Sequence, residues 1–300
     1  MNARTRKVAL TEGVTAGILF GTASIFIRLL PSLDSFSITV WRLVIACAAL
    51  STVLIVLRKK FDIDLAKKYL RDLFILGFFL CLHFILFISA VKDTTILNAT
   101  VLVNTTPIFS VFVSSFIFKL NPSRLAIVGL MISFIGVSTI AYAETTAAGA
   151  FSNGVSPSIK GDLEAVLAAL AETFYLNYGR RIRNQMSIVS IMLPLYAFTA
   201  FFAVILAVPV RNAVLVLPDS IGASLMLLGL GLMPTAIAHT LYFSSLSNLK
   251  SFETAAMALL EPVGATILGV AVFLEVPAPL FALGAAMVLI GIFFIGKEKG

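Results

Sequence analysis

ALLEPVGATIL, residues Ala258 to Leu268, sets a carboxylate and a helix-breaker side by side, Glu261 and Pro262, inside an almost unbroken apolar run. An ionised carboxylate at the centre of a membrane span costs roughly 2.5–3.5 kcal/mol, so such residues persist chiefly where they face a cavity or a partner. A proline within a helix forfeits one backbone hydrogen bond and presses its ring against the preceding turn. Neither residue is accidental if the run around them is a membrane helix, and the composition of the whole chain says that it is.

Of the 300 residues, 59% are hydrophobic and only 12% charged, with 25 Phe and a mean hydropathy of +1.03. A soluble domain carries about 25% charged residues. Apolar segments of about 20 residues, rather than alternating ten-residue ones, favour helices over a barrel, because each helix satisfies its own backbone in lipid. The expected fold class is an all-α polytopic membrane protein with ten transmembrane helices, at about 8–30, 36–57, 72–91, 95–118, 124–142, 161–179, 187–210, 220–245, 252–274 and 279–296. The connections are too short for a soluble domain. The opening MNARTRKVALTEGVTAGILFGTASIF mimics a signal peptide, but its apolar part runs to Leu30, which favours an uncleaved first span. Cys47 and Cys81 fall inside spans and read as small buried side chains rather than a disulfide framework.

The net charge of +7 does not signal a nucleic-acid partner, because its distribution is that of a membrane protein. With the N-terminus in the cytoplasm, seventeen of the 22 Lys and Arg residues lie on that side; Lys92, Lys160 and Arg211 lie outside, and Arg28 and Arg42 at outer helix ends. The positive-inside rule therefore places both termini in the cytoplasm.

Working outward from Pro262, the same landmarks recur in both halves. Pro107, Gly129 and Gly136 reappear 155 residues later as Pro262, Gly284 and Gly291, and His83 recurs at 156 as His239, with HFILFISAV echoed by HTLYFSSLS. Each half holds five spans, an odd number, so the second enters the membrane from the opposite side. The expected organisation is a first five-helix repeat over 1–145, a connection outside the cytoplasm over 146–160 and an inverted repeat over 161–300. Inverted repeats are characteristic of secondary transporters, whose site lies near the bilayer midplane between the two halves.

Several strings together carry a family likeness: VWRLVIACAAL with Arg42 in the second span, Pro107 in the fourth, LLEPVGATILGVAVFLE in the ninth and GAAMVLIGIFF after it. On these the chain resembles the drug/metabolite transporter superfamily, in its ten-helix EamA-type branch, along essentially its whole length. Within that branch it is most similar to the YddG type of aromatic-amino-acid and metabolite exporters. Two departures stand out: LFGTAS lacks the Trp that many members place before the Gly, and Lys119 stands where the end of the fourth span often carries Glu, as Glu275 does at the end of the ninth.

Glu261 and Glu172 lie near the middle of their spans and are functional-site candidates. Glu164, Ala168, Glu172 and Tyr175 form one helical stripe suited to lining a wet cavity, although Glu164 sits near the outer interface, where solvation alone explains it. Phe79, His83 and Phe87 at i, i+4 spacing offer an aromatic wall with one titratable group, which can stack an apolar ligand or hold an ammonium over its rings. A Phe stripe in so Phe-rich a chain is as readily packed or lipid-facing, and His83, Asn104, His239 and Tyr242 serve equally well as hydrogen bonds between helices. Pro107 and Pro262 should kink their helices and free the carbonyls of Val103 and Ala258, as hinges or as static bends. Arg28 and Arg42 are expected to snorkel or to pair with Asp34.

The expected function is a secondary transporter, an exporter of small organic metabolites, with amino acids, aromatic ones included, as first substrates. The lipid bilayer is its surroundings, proton coupling through Glu172 or Glu261 is an open alternative, and no cofactor, metal, nucleic acid or obligate oligomer is implied. The chain offers no HExxH, no GxSxG and no GxxxxGK[ST] for enzymatic or ATP-driven work; a channel or a lipid scramblase remains the competing class. With no Lys or Arg expected at mid-span, zwitterionic, cationic or neutral substrates are favoured over phosphorylated ones.

Overall fold

In a bilayer the only backbone that can cross is one that bonds to itself, and the chain obeys this with helices throughout. The computed structural model describes residues 5–58, 61–117, 119, 121–146, 158–211, 214–273 and 279–297, and no strand occurs among them. Most of the expected 146–160 connection, and Glu275, lie outside the described residues.

The helices follow in the order α1 (Arg6–Phe20), α2 (Ala23–Arg28), α3 (Ser35–Val56), α4 (Ile63–Lys68), α5 (Leu70–Asp93), α6 (Ile96–Val103), α7 (Thr106–Phe116) and α8 (Arg124–Thr146) in the first half. The second half runs α9 (Ile159–Arg183), α10 (Ile188–Arg211), α11 (Ile221–Leu230), a π-helical stretch Gly231–His239, α12 (Thr240–Ser245), α13 (Ser251–Met257), a 3₁₀ turn Ala258–Leu260, α14 (Glu261–Phe273) and α15 (Pro279–Gly296). Starts are marked by side chains that accept the orphan amides of a first turn: Asp34 takes the N–H of Phe36 and Ser37 at the head of α3, and Thr95 takes that of Asn98 in α6. Eight of the described helical segments are long and apolar enough to cross a membrane. The expected sixth and ninth spans correspond to α9, whose 25 residues include Asp162, Glu164 and Glu172, and to the interrupted α13–α14 segment.

The prolines fall at the interruptions. Pro107 opens α7 directly after the break at Asn104 and Thr105, and Pro262 follows the 3₁₀ turn that separates α13 from α14. Both carbonyls expected to be freed are re-satisfied: Val103 O accepts from the Thr106 hydroxyl at 2.8 Å, and Ala258 O from the Glu261 amide. Two irregularities were not expected. The first span breaks at Gly21 and Thr22, and Pro234 sits inside the π-helical stretch. Pro234 has no N–H to give to Leu230 O, and in the π-helical register around it the Thr235 hydroxyl donates to that carbonyl at 2.6 Å.

The repeated glycines meet one another. A Cβ on Gly136 would lie 2.7 Å from the Gly284 carbonyl oxygen, and one on Gly284 would lie 2.7 Å from that of Gly136. Gly129 faces Gly291 in the same way, and between the two contacts the Ser133 hydroxyl donates to Val288 O. As α8 rises through 129, 133 and 136, α15 descends through 291, 288 and 284, so these equivalent helices of the two halves run antiparallel in backbone contact. Only residues without side chains allow this approach. Gly284→Val is expected to overpack the contact and destabilise the protein by about 1–3 kcal/mol, seen as a lowered thermal midpoint of the purified protein in detergent.

Candidate functional site

The interrupted helices converge on one cavity. Phe20 and Ala23 flank the break in the first span, and Arg42 comes from α3. His83, Phe84 and Phe87 come from α5, Val103 and Asn104 from the fourth-span break, Glu172 from α9, His239 from the end of the π-helical stretch, and Ala258 and Glu261 from the ninth-span break. Every one of these residues is buried, none more than 7% exposed. The free volume is about 30 Å³, room for roughly two waters; an organic ligand requires the walls to part.

The carboxylates have different settings. Glu172 Oε2 lies 2.9 Å from the Thr106 hydroxyl and 3.9 Å from His83 Nδ1. His83 Nδ1 is also 3.1 Å from the carbonyl of Ala168, which can only accept, so Nδ1 bears a hydrogen. Glu261 Oε2 accepts from Asn104 Nδ2 at 3.4 Å, while Asn104 also donates to Thr100 O at 2.7 Å. Glu261 Oε1, Asn104 Oδ1 and His239 Nδ1 are buried without a hydrogen-bond partner among the described residues. Unsatisfied polar atoms in a low-dielectric interior are costly and infrequent, and three of them share one cavity.

Of the residues singled out from the sequence, His83, Asn104, Glu172, His239 and Glu261 line the cavity together. The two histidines, equivalent in the repeat, meet edge to face with ring centroids 6.0 Å apart, and His83 stacks on Phe87 at 6.1 Å. Phe79 does not belong: it stacks on Phe174 at 5.2 Å instead. Each i to i+4 step advances about 40° around a helix, so a stripe of three turns away from a narrow target. Phe84 takes the expected place of Phe79. Tyr175 likewise lies off the cavity, packed on Phe243 at 5.4 Å. Glu164, beside Lys160 at 3.7 Å, is remote from it.

Arg42 overturns an expectation. It neither snorkels nor pairs with Asp34; it is 1% exposed, donates from Nε to the Thr235 hydroxyl at 2.8 Å, and places its guanidinium 4.1 Å from the centre of the Phe84 ring. The N-terminal end of α3 is roofed by the stretch of chain at Val216, whose carbonyl accepts from Trp41 Nε1 and whose amide donates to Ser37 Oγ. A membrane-embedded cation is therefore present after all.

Both ends of the bundle are tied across the cavity. At one, Arg6 donates to Glu253 through both terminal nitrogens and to the carbonyls of Asn248 and Gly296 at 3.3 Å, joining the start of α1 to the turn after α12, the start of α13 and the end of α15. At the other, Lys92 donates to Leu30 O at 2.8 Å, and Asp162 accepts from Thr94 and Asn98 at 2.9 and 3.0 Å.

Helices broken around an enclosed polar cavity, tied shut at both ends, make up the working parts of a helical membrane transporter. The profile of the EamA-like transporter family matches twice, over residues 9–142 and 159–297; the chain belongs to that family. It is 29% identical over 311 residues, 98% of this chain and 92% of the relative, to the uncharacterized transporter YdfC of Bacillus subtilis (strain 168). A solved crystal structure with 17% sequence identity shares the fold at a TM-score of 0.76, covering 97% of this chain and 98% of that one.

Glu253 is fully buried, and its carboxylate also accepts from the Lys250 amide at 2.6 Å. Glu253→Gln is expected to weaken this closure by about 1.5–3 kcal/mol, the range for hydrogen bonds to a charged group. A cysteine introduced at Ala258 should then react faster with a small thiol reagent than the same cysteine in the otherwise unaltered protein.

Proposed function

We propose that the protein is a secondary transporter that exports small organic metabolites, amino acids and aromatic ones among them first, by alternating access to the cavity between its two halves. In this scheme ten spans form two inverted five-helix repeats, 1–145 and 161–300, with both termini in the cytoplasm of a bacterial inner membrane. The two matches to one family profile and the antiparallel contact of α8 with α15 support the inverted arrangement. Pro107 and Pro262 are the hinges about which the broken spans move, and the ties at Arg6–Glu253 and at Asp162 are the two gates.

The observation that carries the substrate class is the pair of carboxylates, Glu172 and Glu261, brought from two helices to one buried aromatic cavity. A ligand ammonium is the natural partner for them, with its apolar part against Phe20, Phe84 and Phe87. The same carboxylates suit cationic drugs or other amines, and they are also the groups through which a proton would couple.

Uptake of radiolabelled amino acids into liposomes holding the purified protein, with and without a pH gradient, tests this. Saturable, stereospecific uptake is expected, which neither a channel nor a scramblase would give. Glu172→Gln and Glu261→Gln should each reduce it by about tenfold or more, as loss of a charged contact implies. If a carboxylate serves coupling instead, its Gln variant keeps exchange of external for internal substrate and loses only the response to the gradient. Wild-type uptake in both variants would remove Glu172 and Glu261 from the site.

A further inference from the structure

Arg42 has more donors than the protein uses. Among the described residues its guanidinium makes one hydrogen bond, from Nε to Thr235, and rests on Phe84; no carboxylate of the described residues lies within 4 Å of it. Yet it is 1% exposed and lines the cavity. A buried guanidinium without a counter-charge is unfavourable, and its planar fork of N–H groups matches a carboxylate in two-point geometry.

The fork is also held in place. Thr235 accepts from Nε while its own hydroxyl hydrogen goes to Leu230 O at 2.6 Å, and Tyr196 donates to the Thr235 carbonyl at 2.8 Å. From Arg42 the cavity wall runs through rings in contact: Phe84 to His239 at 4.8 Å, His239 to His83 at 6.0 Å, and His83 to Glu172 at 3.9 Å. The cation and the carboxylates thus stand at separate places along one aromatic surface.

We propose that Arg42 is the anchor for a substrate carboxylate, so that the cavity takes zwitterionic α-amino acids with apolar side chains in preference to simple amines. This rests on the transport function proposed above: the ammonium goes to Glu172 and Glu261, the carboxylate to the free edge of Arg42, and the side chain to the rings.

The test uses the full-length protein in liposomes with three probes that differ only in their charged groups: L-phenylalanine, phenethylamine, which lacks the carboxylate, and 3-phenylpropionate, which lacks the ammonium. For Arg42→Gln, phenylalanine uptake should fall about tenfold or more while phenethylamine uptake stays within about twofold; Arg42→Lys, which keeps the charge without the fork, should fall between. Binding followed by the fluorescence of the single tryptophan, Trp41, should show 3-phenylpropionate affinity lost in Arg42→Gln. Wild-type phenylalanine uptake by Arg42→Gln overturns the proposal. So does an equal loss of phenylalanine and phenethylamine in a variant that keeps the wild-type thermal midpoint, because a merely structural arginine would act on both. Should Arg42→Gln fail to fold, the phenylalanine-to-phenethylamine ratio of Arg42→Lys decides in the same way. A wild-type protein that moves no amino acid at all instead defeats the transport function itself, a result distinct from normal uptake that ignores Arg42.

Discussion

A backbone carbonyl that loses its helical donor inside a bilayer has no water to turn to, and Pro107 and Pro262 create that difficulty beside the cavity. The remedy is local each time. Val103 O, orphaned by Pro107, takes the hydroxyl of Thr106, and Ala258 O, orphaned by Pro262, takes an amide through a 3₁₀ turn; at Pro234 the helix widens to a π register and the Thr235 hydroxyl also donates to Leu230 O. The two threonines also touch Glu172 and Arg42. The backbone breaks and the charged groups of the cavity are therefore one system, and the position of each charge follows from where a proline interrupts a helix.

The halves of the molecule share a skeleton without sharing chemistry. The glycines of α8 and α15 meet reciprocally, and His83 and His239 meet edge to face in the cavity wall. The cation and the amide, Arg42 and Asn104, come from the first half, whereas both carboxylates, Glu172 and Glu261, come from the second. Opposite Glu261 in the repeat stands Thr106. Symmetry supplies the frame, and the departures from it supply the polar groups of the cavity.

Much of this was legible in the residues themselves. The prolines announced two breaks and even the carbonyls they would free, and the price of a carboxylate in lipid marked Glu172 and Glu261 as cavity residues. Arg42 was misread because distance along a helix was taken for depth: eight residues into α3 would be near the surface if the helix end were bare, but the chain around Val216 covers it. Pro234 escaped notice because it has no counterpart in the first half. Phe79 and Tyr175 were misplaced because a shared helical face is wider than a cavity of this size; only the packing of neighbours decides which part of the face is lined.

The two threonines differ in one respect that the proton count makes plain. Thr235 accepts from Arg42 Nε and donates to Leu230 O, so its single hydroxyl hydrogen has one destination beside Pro234. Thr106 has three acceptors within reach, Val103 O at 2.8 Å, Glu172 Oε2 at 2.9 Å and Ala169 O at 3.4 Å, and one hydrogen to give. Val103 and Glu172 compete for that hydrogen, and a carboxylate drawn to another partner leaves it to Val103. The bond that mends the break before α7 and the partner that Glu172 takes are thus linked by stoichiometry, which makes one hydroxyl a junction between the chemistry of the cavity and the shape of its wall.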